Sequence, residues 1–186
     1  MRYNFLIDVI NKIKPKSIIE IGVHSGKRAE AMCGHALIHC KSLTYTGYDL
    51  WQDLEEHDLV SNGKGPSHIK TVDKKLAGLR RNCPLFNYQL IKGDTAITLK
   101  PDTRADLVFI DGDHRDWAIQ RDYDRSSSSP VIVLDDYYNP PIIGLGANNL
   151  IVDSSKCVQI IKSDDRIKNS KNRINLMLIT DKGVSI

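Results

Sequence analysis

Two short apolar runs in this chain each end abruptly on carboxylates. Leu107 to Ile110 gives way to Asp111, Gly112, Asp113 and His114, and Val131 to Leu134 runs straight into Asp135 and Asp136. In an open α/β sheet the carboxyl ends of the strands are where ligands sit. Two buried strands closing on acids suggest one shared site with a cation in it. Two like charges about 4 Å apart at an effective dielectric near 20 repel by roughly 4 kcal/mol. Three carboxylates meeting in one pocket therefore need a cation, bound protons or wide separation. The plainer alternative is that Asp135 and Asp136 open a surface turn that breaks at Pro140 and Pro141.

The elements around these residues follow from periodicity. Apolar positions at Phe5, Leu6, Val9, Ile10 and Ile13 predict a first helix, closed by Pro15. Ser17 to Ile21 and Leu43 to Tyr48 read as strands ending at Gly22 and Asp49, with an Ala-rich helix over Lys27 to Ile38 between them. Gln52 to Pro66 is polar and reads as a loop or lid, after which Ser67 is a candidate N-cap for a helix to about Asn82. Leu85 to Ile91 is a third strand, and Arg115 to Arg125 a helix between the two acid-terminated strands. Val158 to Lys162 and Ile174 to Ile179 are late strands joined through the polar Ser163 to Arg173 stretch. Strands alternating with helices imply a parallel, doubly wound α/β sheet with right-handed crossovers and an antiparallel last strand.

The first strand leads into Glu20-Ile-Gly-Val-His-Ser-Gly26. Gly22 and Gly26 permit a tight turn and a close backbone approach to a ligand over the next helix. The GxGxxG fingerprint and the P-loop GKS/T are both absent. Asp49, at the end of the second strand, is placed to accept both hydroxyls of a ribose. Asp94, after the third strand, is placed to receive an adenine amino group. Both could instead cap turns or helices.

With these residues in place, the chain resembles the class I S-adenosylmethionine-dependent methyltransferases over Ser17 to about Ile179. The resemblance implies a single Rossmann-like domain over 1–186, with about seven strands, the last antiparallel. It also implies a cofactor set of Glu20, Gly22, Val23, His24, Ser25, Gly26, Asp49, Leu50, Gly93, Asp94, Thr95 and Asp111. The phrases Phe109-Ile-Asp-Gly-Asp-His114 and Leu134-Asp-Asp-Tyr137 narrow it to the metal-dependent O-methyltransferases of the catechol, caffeoyl-CoA and macrolide-sugar type. By that resemblance Asp111, Asp135 and Asp136 hold Mg2+ or another divalent cation, since all-oxygen ligation suits Mg2+, Mn2+ or Ca2+. The acceptor is then a small-molecule hydroxyl, on a sugar or phenol, whose proton goes to a base two or three residues beyond the first ligand. Asp113 and His114 stand there, and His114 is preferred because its pKa lies near neutrality.

The chain departs from those relatives in two places. It lacks their long N-terminal helical region, which leaves open the acceptor and whether the partner is a second copy in a homodimer. Ser126 to Pro130 also stands where they have a Gly-Gly turn. Substrate walls would come from Gln52 to Pro66, Trp117 and the Tyr137 to Asn149 stretch, with Trp51, Tyr137 and Tyr138 as ring-stacking candidates.

Composition restricts the other classes. Of 186 residues, 26 are Lys or Arg and 23 Asp or Glu, a net +3 that gives no case for nucleic acid as partner. The start carries neither a signal-peptide core nor an apolar run of about 18 residues able to span a membrane. Cys33, Cys40, Cys83 and Cys157 form no CxxC pair, which fits a reducing, cytoplasmic setting. Tyr88 and Lys92 have the YxxxK spacing of a short-chain dehydrogenase, but within a strand they would be about 13 Å apart. No His falls in a zinc-hydrolase spacing. The alternatives that remain are a metal-independent methyltransferase on another acceptor and a cofactor-binding fold without turnover.

Overall fold

A computed structural model describes residues 2–53, 67–168, 170–184 and 186. Seven strands form one sheet in the order β3-β2-β1-β4-β5-β7-β6. They are β1 (Ser17–Ile21), β2 (Leu43–Asp49), β3 (Phe86–Lys92), β4 (Leu107–Ile110), β5 (Val131–Asn139), β6 (Lys156–Ile161) and β7 (Arg173–Asp181). β1 to β5 pair in parallel, and β7 enters antiparallel between β5 and β6. The expected doubly wound sheet with a reversed last strand is therefore present. Among the described residues the α-helices are α1 (Arg2–Ile13), α2 (Lys27–His39), α3 (Ile69–Asn82), α4 (Thr95–Thr98) and α5 (Asp116–Ser126).

Strand alternation divides the core in two. Ile18, Tyr45, Leu107, Phe109, Val131 and Val133 face α1, α2 and α3, whereas Ile19, Val108, Ile110, Ile132 and Leu134 face α5. Helix α1 is seated by Leu6, Val9 and Ile10, all buried. Each contributes about 1.5–3 kcal/mol by burial, which fixes where the first turn of α1, with Arg2 and Tyr3, meets the sheet. Among the described residues no helix is long and apolar enough to cross a membrane.

Several boundaries differ from expectation. The N-cap of α3 is His68 rather than Ser67, whose hydroxyl is buried without a hydrogen-bond partner. The 54–66 part of the expected loop lies outside the described residues, and only the short helical turn Trp51–Asp53 precedes it. The largest difference is β5. The sequence places its end at Leu134, but pairing with β7 continues to Asn139 after a register shift between Leu134 and Tyr137. Asp135 and Asp136 are thus strand residues at a bulge, and Asp136 takes the left-handed φ of 63°. The surface-turn alternative does not hold, since both are buried.

Candidate active site

The two carboxylates at the β5 bulge point different ways, as neighbouring strand residues do. Asp135 follows Val133 toward α1, and there Arg2 binds it bidentately, Nε at 2.7 Å and an Nη at 2.9 Å. The Tyr3 hydroxyl donates to the same carboxylate at 2.6 Å. Asp136 instead lies 2.8 Å from His114 Nδ1, with the Tyr138 hydroxyl 3.4 Å from the same nitrogen. Asp111 prolongs β4 by donating its N–H to the Ile21 carbonyl at 2.8 Å, and its carboxylate is ion-paired with Arg28 from the first turn of α2.

The three acids expected to share an ion are therefore not the three that come together. Among the described residues, the group whose ligand atoms lie within 4.8 Å of one another is Asp111, His114 and Asp136. Asp135 is outside it. Asp113 is held by Arg115, through Nε at 2.8 and 2.9 Å and a further Nη contact, so a guanidinium occupies the second base candidate. His114 is opposed by burial, which disfavours its charged form, but the Asp136 carboxylate outweighs that and raises its pKa. The same pairing lowers the pKa of Asp136 against the effect of its own burial. Nε2 of His114 has no hydrogen bond to a described residue.

The ends of β1, β2 and β3 form a second cluster beside the first. The Asp49 carboxylate accepts from the His24 N–H at 2.6 Å and from the Trp51 N–H at 2.6 Å. Its own carbonyl accepts from the Gly93 N–H at 3.0 Å. Gly22 has φ 90°, and a Cβ there would stand 2.0 Å from the Asp111 carbonyl oxygen and 2.6 Å from Gly112 Cα. Only glycine allows the turn after β1 to lie this close to the loop that carries His114. Gly26 (φ 71°) sits over Val72 of α3, which a Cβ would meet at 2.9 Å. Val23 is buried in the core, and His24, Ser25 and Leu50 are half-buried along the rim.

Glu20 is fully buried, and burial pushes its carboxyl up to about 8 although Tyr45 and Arg28 work the other way. Oε2 accepts from Tyr45 at 2.5 Å, and Oε1 has no partner. Asp94 does cap a helix, accepting from the Ala96 N–H at 2.7 Å, yet its side chain stays 54% exposed and therefore open to a ligand. Thr95 accepts from Arg121 at 2.7 Å. Trp51 is a core residue that donates its ring N–H to the His24 carbonyl at 3.1 Å, not a ring-stacking platform. Trp117 is half-exposed, with Arg115 and Arg121 over its ring.

Sequence reasoning missed Arg2, Tyr3, Arg28 and the hydroxyl of Tyr138. Arg28, two positions after Gly26, was open to notice as a cation at the N-terminus of a helix, where it opposes the helix dipole. Arg2 and Tyr3 carry no such signal.

Comparison with known proteins bears on the family and the fold. A family described as a methyltransferase domain matches residues 19–137, from β1 through the Asp135-Asp136 pair. No curated protein matches the chain in sequence. Among solved structures, the O-methyltransferase TomG of Streptomyces achromogenes, involved in tomaymycin synthesis and solved with S-adenosylmethionine, is similar with TM-score 0.59 and 16% identity. The match covers 97% of this chain and 79% of that one. A putative O-methyltransferase of Klebsiella pneumoniae gives 0.60 and 15%, covering 95% and 78%. The O-methyltransferase of Bacillus cereus, solved with S-adenosylhomocysteine, gives 0.57 and 13%, covering 95% and 79%. At these identities the structures establish a shared fold, a Rossmann-like sheet of seven strands. The chain itself belongs to the methyltransferase-domain family whose span it matches.

The residues present fit the methyl donor. The turn from Gly22 to Gly26, held tight by two positive-φ glycines, adjoins a carboxylate, Asp49, whose oxygens each keep a further lone pair for a ribose hydroxyl. The fit to a divalent ion is poor. Every carboxylate expected to hold one is already engaged by a side chain: Asp111 by Arg28, Asp135 by Arg2 and Tyr3, Asp136 by His114.

Proposed function

We propose that this methyltransferase moves a methyl group from S-adenosylmethionine to a hydroxyl of a small molecule, with His114 as the base and Asp136 as its support. One observation carries the reading. The His114 imidazole is braced at 2.8 Å by Asp136 on a loop that the Gly22 turn touches directly.

The bound sulfonium donor supplies an activated methyl and a good leaving group. What remains for the chain is to orient an oxygen nucleophile and remove its proton. Asp136 fixes the imidazole through Nδ1 and stabilises the imidazolium that forms when Nε2 takes the proton. Tyr138 adds a hydroxyl on the same side. Asp113 is tied to Arg115 and serves to hold the loop. Glu20, Gly22, Val23, His24, Ser25, Gly26, Asp49, Leu50, Gly93, Asp94 and Thr95 are proposed to hold the cofactor, with Asp49 on the ribose and Asp94 on the adenine side. A divalent cation such as Mg2+ would fall to Asp111, His114 and Asp136, and would have to displace Arg28 and part His114 from Asp136. The half-exposed Trp117 and the Tyr137–Asn149 stretch supply the proposed acceptor walls. A single domain over 1–186 and a reducing, cytoplasmic setting belong to the same proposal.

The test is transfer of label from methyl-labelled S-adenosylmethionine to panels of phenols and sugars, with wild type and His114→Ala side by side. Labelled, alkali-stable ether products made by wild type alone support the reading. Equal labelling by the variant removes His114 from the role of base.

A further inference from the structure

The first turns of α1 and α2 bring two guanidiniums to the acidic ends of β4 and β5. Arg2 binds Asp135 and Arg28 binds Asp111, and the Tyr3 ring lies between them with each guanidinium carbon 4.6 Å from its centroid. Tyr3 packs its ring edge to face against Phe109 of β4, 6.5 Å between centroids. Its hydroxyl accepts from Arg2 at 2.8 Å while donating to Asp135 at 2.6 Å. Little of this is open to water: side-chain exposure is 14% for Arg2, 22% for Arg28, 2% for Asp111 and none for Asp135.

We infer that the Arg2–Tyr3–Arg28 stack stands in for a divalent cation, neutralising Asp111 and Asp135 and keeping metal ions out of the site. The claim concerns the ion and not the acceptor, so it holds whether or not the methylated group is a hydroxyl. Three observations carry it. A guanidinium stays charged under all ordinary conditions, so the positive charge is permanent. Both guanidiniums are largely withdrawn from water, and each is held by an acid and by the Tyr3 ring. Swinging either aside would break its ion pair and leave a buried carboxylate uncompensated. Finally, a dication entering beside Asp111 would meet Arg28 at close range. It would repel that guanidinium while gaining only a carboxylate already paired.

The donor set left over also argues against Mg2+. It is two carboxylates and an imidazole whose Nδ1 is taken by Asp136. Mg2+ prefers oxygen ligands in near-ideal octahedral array. Arg2 and Arg28 are thus positioning residues: they set the charge and shape of the pocket floor without contacting the reacting atoms.

The experiment is a titration of the full chain with Mn2+ followed by electron paramagnetic resonance, and with Mg2+ by calorimetry, each with S-adenosylhomocysteine present and absent. Wild type is expected to take up no stoichiometric ion at millimolar concentration. Arg28→Met, which keeps the stem and loses the charge, is expected to gain a one-to-one Mn2+ site that the added change Asp136→Asn abolishes. Saturable one-to-one binding by wild type, lost in Asp111→Asn, overturns the inference, and this arm needs no folded arginine variant. So does a folded Arg28→Met that takes up no more ion than wild type.

Discussion

His114 of the β4–α5 loop and Asp136 of the β5 bulge face each other at 2.8 Å, joining the two acid-bearing segments through an imidazole rather than an ion. Neighbouring strand residues face opposite sides of a sheet, so Asp136 points away from Asp135, and it does so with a left-handed φ within the bulge between Leu134 and Tyr137.

Loss of either partner should therefore alter turnover in a distinct way. His114→Ala should lower the rate by roughly 10²–10⁴-fold, while S-adenosylhomocysteine affinity stays near normal. Asp136→Asn removes the charge that raises the His114 pKa, so the rising limb of the pH–rate profile should move to lower pH with a smaller maximal rate. Stability runs in the opposite sense. The imidazolium–carboxylate pair stabilises the fold below the ordinary histidine pKa and is lost as pH climbs through the raised value. Rate profiles and urea midpoints across neutral pH check both signs.

Glu20 makes a separate prediction about pH. Its carboxyl is pushed up to about 8 in the fold from an ordinary 4.5. The folded chain therefore keeps a proton that the unfolded chain has given up, and stability falls as pH rises through that window. Each unit corresponds to roughly 1.4 kcal/mol, so the loss amounts to a few kcal/mol by about pH 8. Glu20→Gln, which can still accept from Tyr45, should flatten this slope in urea unfolding carried from acid to mildly alkaline pH.

Arg2 tests the acidic floor. Asp135 is fully buried against it, and removing one partner of a buried pair leaves an uncompensated charge. Arg2→Met should cost about 3 kcal/mol in equilibrium unfolding. The double change with Asp135→Leu should recover much of that cost. A single variant as stable as wild type would mean that Arg2 contributes nothing there.

Most of the fold was legible because its signals are local. The continuous apolar runs of β1, β4 and β5, buried on both faces of the sheet, the helical period of α1 and the glycines after β1 each need only a short window. The glycine turn and Asp49 were likewise visible as types in sequence. The partners of the acids were not. Arg2 meets Asp135 across more than a hundred residues, a contact set by how α1 packs on the sheet and invisible to spacing. The bulge was hidden for another reason. Leu134-Asp-Asp reads as a strand end because acids rarely continue a buried strand unless something binds them, and here Arg2, Tyr3 and His114 do.

The central claim, a methyl-donor site built on the Gly22 turn and Asp49, is tested most directly by calorimetry with S-adenosylmethionine and S-adenosylhomocysteine. Wild type should bind both at one site per chain with micromolar affinity. Asp49→Ala should weaken both by about 10- to 100-fold, the loss of 1.4–2.8 kcal/mol that charged hydrogen bonds to a ribose supply. No heat of binding from wild type with either ligand, or equal affinity in Asp49→Ala, would contradict the account.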